Sequence, residues 1–286
     1  MRWKFGRQCE NIIDLLKLPG SKRLKGGAIG GVLIVLVAIY FWVNQGTVLD
    51  DSSDPDQQQS YTFQPDNLSD REKELTDFIS VVLADTEDIW KKIFSEKGGR
   101  YRKPKLVLFR TEVQSSCDAA GASTGPFYCP ADQTVYIDLS FFQELKDRLD
   151  APGDFSQAYV IAHEIGHHVQ KLIGITAKAQ EARQLMSKKE SNRVSVKLEL
   201  QADCYAGIWA NHADKVRNII EPGDIEEALN AASRIGDDRL QQQAKEGYVV
   251  PDPFTHGSSA QRIRWFRTGH KTGSLEDCDT FSAIQL

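Results

Sequence analysis

The chain has 286 residues, of which 41% are hydrophobic and 26% are charged, and its net charge is −5 at pH 7. This composition is that of an ordinary globular protein, and it excludes a chain that is disordered throughout. The acidic balance also lacks the basic excess of nucleic-acid-binding domains, so we expect no nucleic-acid partner.

The first apolar stretch of the chain predicts a membrane anchor. Residues 26–44 read GGAIGGVLIVLVAIYFWVN and carry no charge. As a helix rising about 1.5 Å per residue, they just cross a hydrocarbon core about 30 Å thick. Basic residues precede them and aspartates follow, so residues 1–25 are predicted to be a cytoplasmic leader and the rest of the chain to be exported. A buried core helix and a cleaved signal peptide are the alternatives; the long polar leader disfavours the latter.

The folded domain is predicted to begin after a linker. Residues 45–66 are polar and acidic, which is typical of a flexible tether. Ser69 and Glu72 form a capping box at the start of an amphipathic helix, so the domain is assigned to residues 67–286.

The pattern within this domain indicates an α+β fold dominated by helices, with a small β-sheet. Two runs are rich in β-forming residues, at 105–110 and 133–142. Helical periodicity then dominates, near residues 155–173, 177–213, 224–246 and 258–269, with a break in the second of these near Ser191.

The cysteines agree with an exported domain, because disulfides persist in oxidising compartments. Cys117 and Cys129 flank a short glycine-containing loop, and we predict a disulfide between them. Cys204 and Cys278 allow a second bond, with a buried free thiol at Cys204 as the alternative. Cys9 falls in the predicted leader, where a thiol stays reduced.

A His-Glu-x-x-His motif occupies residues 163–167 and predicts a zinc site. His163 and His167 lie one helical turn apart on the same face, so both rings can bind one ion. Glu164 lies about 100° around the helix, where it can act as a general base toward water. The alternative is a core helix whose histidines are satisfied by hydrogen bonds. His168 points off the shared face and is interpreted as a packing residue.

A catalytic zinc needs a third protein ligand and an open fourth position. The best source is the largely apolar stretch 196–210, because Glu199 and Asp203 would be costly to bury there without a cation or hydrogen-bond donors. We assign Glu199 as the third ligand, and Asp203 as the acceptor of the free ring N–H of a ligand histidine. A partly solvated helix edge is the alternative, and Glu181 and Glu190 are competing ligands in exposed, basic contexts.

These motifs carry a family resemblance. H-E-x-x-H followed by E-x-x-x-D resembles the gluzincin-type zinc peptidases. The segment THGSSAQRI, residues 255–263, is similar to the Thr-His-Pro…Arg-Ile element of integral-membrane heat-shock and prenyl-protein peptidases, with Gly257 in place of proline. Nearly the whole chain resembles the neutral zinc metallopeptidases anchored in bacterial membranes, through GPFYCPADQTVYIDLSFF, AYVIAHEIGHHVQ, LELQADCYAGIWA and HGSSAQRIRWF. The resemblance implies a zincin-like domain with one Zn²⁺ per chain, on the periplasmic face of the inner membrane.

The sequence therefore predicts a membrane-anchored zinc endopeptidase that hydrolyses peptides or unfolded proteins. Glu164 takes the proton from the attacking water. By resemblance, His256 stabilises the oxyanion, although a solvent-exposed or capping histidine is an equal alternative. Arg262 would hold the His256 loop against a carboxylate such as Asp203, or would form a surface ion pair.

Three further alternatives stay open at this stage. Residues 133–140 are either an edge strand that pairs with an extended substrate or a core strand. The domain could be a membrane-tethered binding or scaffold module with a structural zinc site, in which four protein ligands leave no role for a base. It could also be a latent peptidase, blocked by its loop at 117–129 or by its C-terminal tail.

Overall fold

The computed structural model describes residues 1–14, 68–110, 112–121, 125–244 and 249–286. The predicted anchor (26–44) and linker (45–66) lie outside these ranges, so both stay predictions. Within the described ranges, we find no helix with both the length and the apolar character needed to cross a bilayer.

The domain contains a small, mostly parallel sheet beside a two-stranded hairpin. The strands are β1 (Ile12–Asp14), β2 (Lys105–Phe109), β3 (Glu112–Ser115), β4 (Asp118–Gly121), β5 (Phe127–Cys129) and β6 (Thr134–Asp138). The sheet has the order β1-β2-β6-β5, in which β5 is antiparallel to β6 and the other pairings are parallel. Strands β3 and β4 form the hairpin. Because β6 lies between β2 and β5 and is buried along its whole length, residues 133–140 contain a core strand and not an edge strand.

Helices make up most of the remainder. They are α1 (Asp70–Glu96), α2 (Leu139–Asp147), α3 (Asp154–Leu172), α4 (Ile175–Arg183), α5 (Lys188–Arg217), α6 (Asp224–Arg234), α7 (Asp237–Ala244) and α8 (Ser259–Thr272), followed by a 3₁₀ turn at Glu276–Cys278. The helix-dominated α+β prediction is confirmed. So is the capping box of Ser69 and Glu72 at the start of α1.

Local caps decide where the predicted elements end. The run 133–142 was predicted as β-like throughout, but the Asp138 carboxylate accepts a hydrogen bond from the Ser140 N–H at 2.8 Å and starts α2. The predicted helix 177–213 is two helices, and its break lies just before Ser187, which caps the start of α5, close to the break predicted near Ser191. The predicted helix 224–246 is also divided, at Gly236, where a Cβ would lie 2.5 Å from the backbone nitrogen of Ser259.

Close packing of α3 and α8 against α5 fixes the part of the core that carries the predicted site. A Cβ at Gly166 of α3 would lie 2.9 Å from the carbonyl oxygen of Ala202 in α5, so only glycine permits this approach. Gly269 of α8 similarly meets the backbone of Cys204. Around these contacts lie large buried aromatic side chains, among them Tyr159, Tyr205, Trp209 and Phe266. The three helices therefore present their polar residues to one another at fixed positions.

The predicted pair Cys117–Cys129 is a disulfide, and so is Cys204–Cys278, whose pairing the sequence left open. Cys117 and Cys129 are joined with an S–S distance of 2.06 Å, and their bond ties the β3–β4 hairpin to β5. Cys204 and Cys278 are joined with an S–S distance of 1.94 Å, which fastens α5 to the 3₁₀ turn near the C-terminus. Cys9 stays a free, partly buried thiol.

Candidate metal centre

Helices α3 and α5 bring the three predicted ligands together. The Glu199 carboxylate lies between the two histidine rings, with Oε2 3.1 Å from His163 Nε2 and Oε1 3.4 Å from His167 Nε2. One donor atom from each residue lies within 4.8 Å of the others. Ligands around a tetrahedral zinc at about 2.0–2.2 Å lie about 3.4 Å apart, so this donor set fits zinc with small side-chain movements. Burial raises the pKa of Glu199, but the His167 and His163 rings hold it well below its usual value.

The second nitrogen of His163 is fixed by a buried carboxylate. His163 Nδ1 lies 2.8 Å from Asp203 Oδ1, which leaves Nε2 to face Glu199. Asp203 is completely buried, and Arg262 donates to both of its oxygens at 2.9 Å. The Tyr159 hydroxyl donates to Asp203 Oδ1 at 2.5 Å. Burial raises the pKa of Asp203, but Arg262 and His163 outweigh it, so the pKa lies below its ordinary value. The expected contact between Arg262 and Asp203 is therefore present, within the core and not at the surface.

The second nitrogen of His167 is fixed by a residue that the sequence analysis did not identify. Gln170 Oε1 lies 2.9 Å from His167 Nδ1. The Gln170 amide donates to the Leu198 carbonyl at 2.7 Å and to Gln201 Oε1 at 3.1 Å, and only 1% of Gln170 is exposed. The sequence signal that could have identified Gln170 is its spacing from His167, because residues three apart on a helix share a face.

Glu164 lies beside the three ligands and is 7% exposed. Its carboxylate accepts a hydrogen bond from the Tyr128 backbone N–H of β5. Burial raises the pKa of Glu164, the nearby His167 and His163 rings oppose that effect, and the pKa ends above its ordinary value. A carboxylate with a raised pKa is a better proton acceptor near neutral pH, which suits a general base.

The His256 loop is held by an aspartate that sequence reasoning also missed. The backbone N–H groups of Thr255, His256 and Gly257 donate to Asp237 Oδ2 at 2.7, 2.6 and 2.9 Å. Asp237 Oδ1 lies 3.2 Å from His256 Nδ1. Burial lowers the pKa of His256, but Asp237 and the nearby Glu199 carboxylate raise it above its usual value. His256 therefore lies close enough to the predicted ligands for the charge of Glu199 to raise its pKa.

Gly257 explains the departure from the Thr-His-Pro pattern. Its φ is +89°, a value that the proline ring excludes by fixing φ near about −65°. The loop after His256 therefore has a backbone conformation that proline could not adopt at this position.

His168 is a packing residue, and its contacts lie away from the ligands. The Tyr128 hydroxyl lies 2.9 Å from its Nδ1, and Nε2 lies 2.6 Å from the Arg102 carbonyl. A neutral ring that accepts at Nδ1 and donates at Nε2 satisfies both contacts. Burial lowers the pKa of His168 to about 4, in agreement with that neutral form.

Two histidines and a glutamate that can hold zinc, with a second glutamate beside them, match the residue pattern of zinc metallohydrolase sites. Comparison with known proteins agrees. The chain belongs to the family described as "Putative neutral zinc metallopeptidase", whose model matches residues 1–281.

Relatives occur in distant bacteria. The chain is 47% identical over 290 residues to "Uncharacterized protein YpfJ" of Escherichia coli K12, covering 98% of this chain and 99% of that protein. It is 43% identical over 208 residues to "Uncharacterized protein Rv2575" of Mycobacterium tuberculosis H37Rv, covering 69% of this chain and 68% of that protein. No solved structure gives a significant match.

Proposed function

We propose that the domain is a zinc-dependent endopeptidase in which His163, His167 and Glu199 hold one zinc ion. The observation that carries the proposal is the buried Glu164 beside a set of three ligands. A structural zinc site has four protein ligands, and among the described residues this cluster contains three. A zinc ion held by three side chains would leave its fourth position to water, and a carboxylate base beside it favours hydrolysis over a purely structural site.

When bound, zinc supplies a Lewis acid that polarises the scissile carbonyl and lowers the pKa of water to about 7. Glu164 takes a proton from the attacking water while the new C–O bond forms. It then delivers that proton to the amide nitrogen as the C–N bond breaks. His256, positioned by Asp237, donates a hydrogen bond to the carbonyl oxygen as negative charge develops there.

Strand β5 supports a peptide substrate. It pairs with β6 along one side, and its other side is an edge of the four-stranded sheet. The Tyr128 backbone N–H of β5 contacts Glu164, so this strand lies beside the proposed base. An extended peptide that adds to β5 would pass its backbone next to Glu164, as in recognition by β-augmentation. This arrangement favours flexible or unfolded substrates, whose backbone groups are free to pair.

Substitution of the proposed base tests the function in the full chain. Glu164→Gln keeps the size of the side chain but removes the base. We expect bound zinc near one per chain in both wild type and Glu164→Gln, with hydrolysis of an unfolded casein substrate in wild type alone. Glu181→Gln is the matched control, because Glu181 is an exposed glutamate on α4 outside the ligand set. It should leave both quantities unchanged.

The same experiment separates the alternatives. Zinc in every variant without hydrolysis in any would favour a scaffold with structural zinc or a latent peptidase, and would contradict the proposal. Attachment to a membrane through residues 26–44 stays a prediction from the sequence, because those residues lie outside the described ranges.

A further inference from the structure

The N-terminal segment, defined here as residues 1–14, packs against the catalytic domain through its backbone. Strand β1 is parallel to β2, and Ile12, Ile13 and Asp14 are in register with residues 106–108. Just before β1, the carbonyl of Asn11 accepts a hydrogen bond from the Leu106 N–H at 3.1 Å. The segment is therefore an edge strand of the sheet whose opposite edge, β5, lies beside the proposed base.

Side chains of the segment fit closely along α1. The Trp3 ring meets Phe78 edge to face, with ring centroids 5.3 Å apart. A Cβ at Gly6 would lie 2.3 Å from Val81 Cγ1, so the backbone lies directly on the helix. The Cys9 N–H donates to Ser80 Oγ at 2.8 Å, so the contact between the segment and α1 continues as far as residue 9.

The segment also supplies positive charge where the domain has buried or clustered acids. Glu87 is 1% exposed, and Arg7 lies 3.1 Å and Lys103 2.7 Å from its carboxylate. Removal of Arg7 would leave a buried carboxylate with less compensation, which costs free energy.

A second acidic group meets the start of the segment. The Met1 ammonium lies 2.8 Å from Asp154 and 3.3 Å from Asp224, and the oxygens of Asp154, Asp224 and Glu227 lie within 4.8 Å of one another. Asp154 is the first residue of α3, the helix that carries His163. The segment is thus complementary in charge to the domain at its start, through Met1, and near its middle, through Arg7.

From these contacts we propose that residues 1–14 are a built-in part of the catalytic domain, so that both lie on the same side of the membrane. The single crossing predicted for residues 26–44 would place them on opposite sides, separated by about 30 Å of hydrocarbon. The hydrogen bonds and ion pairs described above cannot form across that distance. This proposal is independent of the proposed peptidase activity.

Cross-linking in intact cells tests the proposal. Gln8 Nε2 lies 3.2 Å from Asp77 Oδ1, and Asp77 is an exposed residue of α1. The full chain would carry Cys9→Ser with Gln8→Cys and Asp77→Cys, and cells would receive a short, membrane-permeant thiol cross-linker. In the matched control, Glu96→Cys replaces Asp77→Cys, at an exposed position about 28 Å further along the same helix.

We expect joined peptides from positions 8 and 77 by mass spectrometry, and none from positions 8 and 96. Absence of the 8–77 link would overturn the proposal, as would labelling of the two positions by an impermeant maleimide from opposite sides of the membrane. Gln8, Asp77 and Glu96 are exposed, and Cys9→Ser replaces a partly buried thiol with a side chain of nearly the same shape, so folding should be preserved. The reactivity of the native Cys9 thiol, considered below, is a second measurement that needs no substitution.

Discussion

Arg262 and Asp203 form a two-point ion pair in the wall of the metal centre, with Nε 2.9 Å from Oδ2 and Nη2 2.9 Å from Oδ1. Both residues are buried, with exposed fractions of 2% and 0%. Asp203 in turn lies 2.8 Å from His163 Nδ1. A guanidinium on α8 therefore positions the carboxylate on α5 that orients a ligand ring on α3.

Removal of this arginine should destabilise the fold strongly. Arg262→Met leaves Asp203 as a buried charge with fewer donors, and we expect the free energy of unfolding to fall by about 3–5 kcal/mol. Urea titration of both proteins measures the difference. Arg264→Met, at an exposed position on the same helix, is the control and should change stability by less than about 0.5 kcal/mol. Equal effects of the two substitutions would show that the buried pair has no special role.

Gln170 should matter for zinc affinity, although it is not a ligand. Gln170→Leu removes the oxygen that fixes the His167 ring, and we expect zinc binding to weaken by about tenfold or more. Competition with a chelator of known affinity gives the dissociation constant. Gln157→Leu, at a half-buried position on the same helix, should leave that constant unchanged. If the two variants bind zinc alike, Gln170 does not orient His167.

The disulfide that closes the longer loop of chain should stabilise the domain more than the one that closes the shorter loop. The Cys204–Cys278 bond spans 74 residues and the Cys117–Cys129 bond spans 12. Disulfides typically contribute about 2–4 kcal/mol, and loop-closure entropy predicts roughly 1.5 kcal/mol more for the longer bond. Paired alanine substitutions of each bond, compared by urea unfolding, measure the two losses. A larger loss from the Cys117–Cys129 variant would contradict this order.

The reactivity of Cys9 should depend on docking of the N-terminal segment. Burial raises the pKa of its thiol from 9.0 to about 11, and the nearby Glu87 carboxylate acts in the same direction. At pH 8 the thiolate fraction falls about a hundredfold, so iodoacetamide should modify Cys9 about a hundredfold more slowly in the native chain than in urea. The folded chain holds this thiol proton more tightly than the unfolded chain does. The contribution of the pKa shift to the free energy of unfolding is therefore fully present below pH 9 and is lost as the pH rises toward 11. Equal rates in native and unfolded chains would mean that the segment is not docked.

Local sequence patterns predicted many residues of the metal centre. The remaining features depend on contacts between residues that are far apart in the sequence. The ligand helix and the cap at Ser69 are short signals, because their partners lie within four residues. The position of Asp237 beside His256 depends on how α7 and α8 pack, which no local spacing shows. The contact between Arg262 and Asp203 was expected as one of two alternatives, and the packing of α8 on α5 decides between them. For the same reason the sequence left open whether residues 133–140 form an edge strand or a core strand, since pairing across the sheet decides that β6 is internal. The docking of residues 1–14 depends on partners about 70 to 220 positions away, such as Ser80 and Asp224.

The central claim, that one zinc ion held by three side chains serves a peptidase, is tested most directly by zinc titration. Zinc would be added stepwise to metal-free full-length chain while bound zinc and hydrolysis of unfolded casein are measured in the same sample. Activity should rise in proportion to bound zinc and stop rising at one zinc per chain, whereas Glu199→Gln should bind zinc much more weakly. Full occupancy by one zinc ion without any hydrolysis, or undiminished zinc binding in Glu199→Gln, would contradict this claim.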